Sequence, residues 1–240
     1  MTRRRQVPDW ETLLAHAAGL QTKVPGAILV GGSAAALHAR HRYSVDHDHV
    51  VTDLAKNYDS AMAALESIVG WRTSRRVRGR MVLGSVGGIA AGVRNQRRSA
   101  PLETTEISVP GGRSIRVPTI EEMLRIKAFL AVERNATRDY LDVAALSQHL
   151  GLRRSAGALE RMNQLYAEFA GEGGDMLTTV VVTLSNPAPY DLTDVDLTEY
   201  KGIIAPWDDW RAVEEQCSAV ATEVLRRPGK PTPDLGTGNR

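Results

Sequence analysis

The sequence predicts an α/β (α+β) chain: a small mixed sheet flanked by helices, then a mostly helical C-terminal region. Three observations lead there. Ala27-Ile28-Leu29-Val30 is a short continuous apolar run closed by Gly31-Gly32, Val45 to Val51 alternates at strand period, and from Thr119 onward apolar residues recur mostly at helical spacing. With 240 residues and 42% hydrophobic content, the chain has enough apolar material for a packed core.

Trp10, Leu13, Leu14 and Ala17 set a helix over residues 9–19, ending near Gly19. Pro25-Gly26 then opens a buried strand at 27–30, and Ser33 is placed to cap a helix through Ala34-Ala35-Ala36-Leu37. Strand periodicity over 45–51 sends Asp46, Asp48 and Val50 to one face and Val45, His47, His49 and Val51 to the other. Asn57 to Val69 reads as a helix with Ala61, Leu65, Ile68 and Val69 inward, closed by Gly70. Thr105–Val109 and Ser114–Val117 flank Pro110-Gly111-Gly112 as a β-hairpin. Thr119 and Glu122 form a T-x-x-E capping box ahead of Ile120, Met123, Leu124, Lys127 and Leu130.

Further helices are expected at 137–151 and 155–169, the latter ended by Gly171-Glu172-Gly173-Gly174, and at 208–226. Met176 to Leu184 is rich in β-branched residues and fits either a strand or a buried helix. Three prolines among glycines and polar residues make Pro228 to Arg240 a disordered tail. The division that follows is a first domain at 1–118, a mostly helical domain at 119–226 and a tail at 227–240.

No apolar run approaches the roughly 20 residues a bilayer crossing needs. Met1-Thr2-Arg3-Arg4-Arg5 is followed by Pro8 and Asp9 where a secretory leader needs an apolar stretch, so a cytoplasmic chain without a membrane partner is expected. The single cysteine, Cys217, shares a helical spacing with Trp210, Val213, Val220 and Val224 and reads as a small buried apolar side chain. Net charge is only +2, but it is segregated: Ser67 to Leu102 holds no Asp or Glu, and Arg72, Arg75, Arg76, Arg78, Arg80, Arg94, Arg97 and Arg98 all fall inside it. Glu160 to Glu215 reverses the balance, twelve acidic residues against Arg161, Lys201 and Arg211. A basic face of this kind suits a polyanionic partner.

Two carboxylates at i and i+2 on a strand project side by side and can hold one or two hard divalent cations such as Mg²⁺. Beside them, a strand running through Gly31-Gly32-Ser33 into a helix offers backbone N–H groups and a hydroxyl to phosphate oxygens. Together the two parts suit phosphoryl or nucleotidyl transfer.

The run Val30-Gly31-Gly32-Ser33-Ala34-Ala35-Ala36-Leu37, followed by Arg42-Tyr43-Ser44-Val45-Asp46-His47-Asp48, resembles the signature of the polymerase-β-like nucleotidyltransferase superfamily, and more narrowly the AbiEii/MenT-type toxins of toxin–antitoxin systems. Lys127, Arg134 and Arg138-Asp139-Tyr140-Leu141-Asp142 are similar to that family's downstream lysine and R-D-x-x-D motifs. The resemblance implies a nucleotidyltransferase fold with a catalytic domain at 1–118. It implies Mg²⁺, with Mn²⁺ as the alternative, on Asp46 and Asp48, and an NTP held by Gly31, Gly32, Ser33, Ser44 and Lys127. Asp142 completes the site, orienting the acceptor hydroxyl or serving as its base, with Asp139 a secondary candidate. It further implies an RNA acceptor, tRNA foremost, a toxin that blocks translation, and a cognate antitoxin. Transfer to a protein or small-molecule hydroxyl, and a degenerate nucleotide- or RNA-binding module, are the alternatives. On position alone, Lys127 would be a snorkelling helix lysine and Asp142 a surface carboxylate paired with Arg138.

The superfamily often adds a third carboxylate from a later strand. Arg80 to Arg98 supplies none, which leaves Glu103 and Glu106 as the nearest candidates. His41, His47 and His49 suggest zinc by composition, but periodicity points His47 and His49 away from the carboxylates and into the packing beneath the sheet.

Overall fold

The computed structural model describes residues 9–171 and 175–227; the expected tail at 228–240 and the glycines at 173 and 174 lie outside the described residues. Helix α1 (Trp10–Lys23) passes through Gly19, because Leu20 on the next turn is buried and holds the helix to the core. Strand β1 (Ile28–Val30) leads directly into α2 (Gly31–Ala39). The cap position is Val30, and Gly31 makes the corner at φ 74°, a conformation that costs glycine little. Ser33 therefore lies inside the first turn and does not cap the helix.

After β2 (Asp46–Val51) come α3 (Tyr58–Glu66), β3 (Trp71–Val77), β4 (Met81–Val86) and β5 (Ile89–Asn95). The sheet order is β1-β2-β5-β4-β3, with only β2 and β5 parallel, so this is a mixed five-stranded sheet with β3 at its edge. Helix α3 stops before Val69, which is 95% exposed and not inward as its spacing suggested. The hairpin β6 (Thr104–Val109) and β7 (Arg113–Pro118) forms at the expected glycine turn.

Helices α4 (Ile120–Arg134) and α5 (Thr137–Leu150) follow; then the expected helix at 155–169 is broken into α6 (Leu152–Leu159), α7 (Met162–Leu165) and a short 3₁₀ turn. Residues 176–185 form helix α8 (Met176–Ser185), buried along Met176, Val180, Val181 and Leu184, which settles the strand-or-helix question. The last helix is α9 (Trp210–Arg226), whose Cys217 is buried; burial pushes its thiol up. Thr119 caps α4 by accepting from the Glu122 N–H, but Glu122 does not reach back: its carboxylate is buried in ion pairs with Arg98 and Arg125.

Two apolar clusters hold the molecule. One joins Leu13, Leu29, Ala34 and Ile115 to Leu124, Leu146, Val180 and Val220, so residues on both sides of position 118 share it. The other lies under the sheet: Val51, Val82, Ala91 and Val93 against Leu54, Met62 and Leu65.

His47 and His49 lie on that packed face, fully buried, as the alternation requires. Their rings meet edge to face with centroids 5.4 Å apart, and neither nitrogen of His47 has a hydrogen-bond partner. Burial, reinforced by nearby His16, lowers His47 to about 4, and burial also lowers His49 well below the usual histidine value. The unfolded chain thus takes up protons that the folded chain refuses. Stability is full above about pH 6.5 and is lost as pH falls toward 4, by about 3 kcal/mol for His47. Urea midpoints measured from pH 7 to 4.5 should fall steeply and should flatten in His47→Leu; a flat wild-type profile would refute the account.

Candidate active site

The two faces of the sheet differ. On β2 the burial alternates so that Asp46 is exposed and Asp48 half-buried, while the intervening histidines are covered. Val30 pairs with Asp48 in register, so the β1–α2 corner comes beside the carboxylates: a Cβ on Gly31 would sit 4.0 Å from that of Asp48. The N–H groups of the first turn of α2, left without intrahelical partners, belong to this corner.

Asp46 is held from two sides. The Ser44 hydroxyl donates to its carboxylate Oδ1 at 2.7 Å, and the Ser33 hydroxyl donates to its backbone carbonyl at 2.6 Å. Ser33, expected to offer its hydroxyl to a phosphate, is 1% exposed and instead ties α2 to the start of β2. Asp48 packs over β5: its in-register neighbour is Gly92, where a Cβ would come within 2.8 Å of Asp48 Oδ1. Burial raises the Asp48 carboxyl and Asp46 adds to that, against the opposing pull of Arg94, Arg134 and Arg138. Arg94 Nε lies 3.8 Å from Asp48 Oδ1.

Behind this surface lies a buried ionic cluster. Asp142, fully buried, accepts two hydrogen bonds from Arg42 at 3.0 Å each and one from His41 Nε2 at 2.8 Å, and Lys127 Nζ lies 2.6 Å from its other oxygen. Lys127 also donates to Asp139 at 3.0 Å. Burial alone would raise Asp142; the charges of Arg42 and Lys127 and the His41 bond overcome it and hold this carboxyl well below the usual range. Asp142 is therefore not a surface carboxylate paired with Arg138, and Lys127, 3% exposed, does not snorkel. The cluster still reaches the glycine corner: a Cβ on Gly32 would lie 2.9 Å from Arg42 Nη2 and 3.1 Å from Ser44 Oγ. The C-terminal region closes over the same segment, with Tyr43 N–H donating to Lys201 O, Ile204 N–H to His41 O, and Tyr200 packed on the Arg42 guanidinium.

Asp46, Asp48, Gly31, Gly32 and Ser44 thus line one corner, with Lys127, Asp139 and Asp142 packed behind it through Arg42. Reading the sequence missed Arg42 and His41 in that support, and Arg94, Arg134 and Arg138 around Asp48. The only signal for Arg42 was its place in the motif, two residues before Ser44. Glu103 is tied to Arg125 and Arg161, and Glu106 to Arg116, so neither joins the carboxylates. Among the described residues no three His, Cys, Asp or Glu side chains form a metal-binding group, zinc included. Surface depressions of about 520 and 510 Å³ lie elsewhere, the first along α9 and the second between α3 and the back of β3. The carboxylates stand on an open sheet face.

This architecture is found in solved proteins. The nucleotidyltransferase toxin MenT4 of Mycobacterium tuberculosis superimposes with a TM-score of 0.55 at 16% identity, over 92% of this chain and 84% of that one. The chain has the nucleotidyltransferase fold. JHP933 of Helicobacter pylori shares the arrangement at a TM-score of 0.51 and 16% identity, over 89% of this chain and 90% of its own. No family model matches the chain. By sequence, 129 residues, 54% of the chain, are 34% identical to the heme uptake protein MmpL11 of Mycobacterium tuberculosis, and 128 residues are 30% identical to the mycolic acid-containing lipids exporter MmpL11 of Mycolicibacterium smegmatis. The match spans 13% of the length of each of these much longer relatives. Among the described residues of this nucleotidyltransferase fold, no helix is long and apolar enough to cross a membrane.

Proposed function

We propose that the chain is a metal-dependent nucleotidyltransferase that moves NMP from an NTP to an RNA hydroxyl, with tRNA the favoured acceptor. The observation that carries this reading is the side-by-side placement of Asp46 and Asp48 at the glycine corner of β1 and α2. Their four oxygens are the donor set that Mg²⁺ or Mn²⁺ takes, and Ser44 already orients one of the two carboxylates. When bound there, the cation would lower the pKa of the attacking hydroxyl and offset charge on the triphosphate.

The chain's own groups do the rest. First-turn N–H groups at Gly31 and Gly32 cradle phosphate oxygens. Arg94, Arg134 and Arg138, whose charges act on Asp48, supply the positive field for the leaving pyrophosphate. The acceptor oxygen bonds to the α-phosphorus, the bond from that phosphorus to the bridging oxygen breaks, pyrophosphate departs, and the hydroxyl proton leaves to solvent. Lys127 and Asp142 act one layer behind: the amine and the carboxylate fix Arg42, which supports the turn at Gly32. A buried carboxylate held this far below its ordinary range is a poor base, so we assign Asp142 to positioning. The fold shared with MenT4, itself a nucleotidyltransferase toxin, favours a toxin acting on translation in the cytoplasm, restrained by a cognate antitoxin.

Incubation with each labelled NTP, Mg²⁺ and total RNA tests the reading. Label on small RNA is the expected result. Label on protein would redirect the acceptor to a protein hydroxyl, and bound nucleotide without any transfer would leave a degenerate binding module.

A further inference from the structure

The sheet face that carries the carboxylates continues past them to a basic edge. Gly92 on β5 is hemmed in by both Asp48 and Leu83, and Arg94 donates to the Met81 sulfur, so Asp48, Leu83, Met81 and Arg94 share this face. One strand further out, Arg72 pairs with Ser85 and Arg75 pairs with Leu83. Directly paired side chains lie on the same side of a sheet, which puts Arg72 and Arg75 on the carboxylate face too.

Strict alternation along β3 would have grouped Arg72 with Ser74 and Arg76. The register shifts between Thr73 and Arg75, and that irregularity brings Arg75 opposite Leu83 while Arg76 pairs with Val82 on the packed face. Arg76 accordingly lines the depression behind the edge with Tyr58 and Asp59. The opposite face of β4 is closed by Trp71, which crowds Gly84. The rest of the basic window is sorted: Arg97 packs on Phe129 and Phe169, Arg98 is buried against Glu122, Arg78 pairs with Asp59, Arg80 is exposed in the β3–β4 turn, and Arg72 and Arg75 stand exposed on the open side.

From these placements, and resting on the RNA-acceptor reading, we infer that the open face from Asp48 across β5 and β4 to Arg72 and Arg75 is the track for the acceptor's phosphate backbone. Three strand spacings separate β2 from β3, about 14 Å. That is about four stacked nucleotides at roughly 3.4 Å each, enough for a strand end to reach Asp46 and Asp48 while its preceding phosphates meet the two arginines.

The test is the salt dependence of binding, by fluorescence anisotropy, of a labelled single-stranded RNA to the full chain. For a single strand each neutralised phosphate contributes about 0.7 to the slope of log K against log salt. Arg72→Ala/Arg75→Ala should lower that slope by about 1.4, Arg72→Lys/Arg75→Lys should keep it, and Arg76→Ala, on the same strand but facing the other way, should leave it unchanged. An equal loss from Arg76→Ala, no change in the double alanine variant, or no RNA binding by the parent chain overturns the track. A face-specific slope change without nucleotidyl transfer keeps the track and removes the proposed activity; transfer to RNA with an unchanged slope does the reverse.

Discussion

On the proposed mechanism, Asp46→Ala and Asp48→Ala should each abolish nucleotidyl transfer, by about 10³-fold or more, while the chain keeps its wild-type melting profile. The size follows from what is removed: half of a paired oxygen donor set that stabilises charge in the transition state by several kcal/mol, with each 1.4 kcal/mol worth about tenfold in rate. The stability half follows from exposure, since both side chains face the open side of the sheet and neither fills the apolar core. Losing the carboxyl of Asp48 also removes a group whose burial disfavours its charge, which is why its replacement should not unfold the sheet. Single-turnover transfer and thermal melts on the same preparations provide the check. A variant retaining a tenth of the parent rate would show that the chemistry is elsewhere.

Asp142→Ala should show the opposite signature: a loss of about 3–5 kcal/mol of stability, with activity failing as a consequence. The substitution leaves Arg42, Lys127 and His41 converging on a hole in a region closed to water, and uncompensated buried charge is among the costliest defects a fold can carry. Asp139 remains as a partner for Lys127 but not for Arg42, so the loss is partly relieved on one side only. Asp142→Asn keeps the shape and some hydrogen bonds and should fall between the two. Denaturant unfolding of the three forms decides the matter, and an alanine variant within about 1 kcal/mol of the parent would refute the cluster's structural role.

Most of the carboxylate corner was legible because its signals are local. Alternation over 45–51 fixed which side Asp46 and Asp48 take, and an apolar run ending in two glycines marked the strand-to-helix corner. The signals that misled were those where a local rule met a distant partner. Ser33 resembles a helix cap, but its hydroxyl is used by the Asp46 carbonyl thirteen residues on. Glu122 resembles half of a capping box, but two arginines, one from the segment after β5, claim it. Asp142 and Arg138 satisfy the i, i+4 rule on paper; the pair that forms instead joins Asp142 to Arg42, a hundred positions earlier, which spacing along a helix cannot reveal. Helix α8 overrode propensity for the same reason, since Met176, Val180, Val181 and Leu184 on one side of it are buried in the core while Thr178, Thr179 and Val182 stay exposed.

The clasp in which residues 41–43 meet 201–204 has a consequence for assembly. It joins segments roughly 160 positions apart, among the most expensive closures the chain makes in lost freedom. During synthesis the strand bearing both aspartates is complete long before its lead-in finds that partner. The growing polypeptide would therefore carry the aspartate strand with its lead-in at 41–43 still unclasped until residues 201–204 have been made and can close over it.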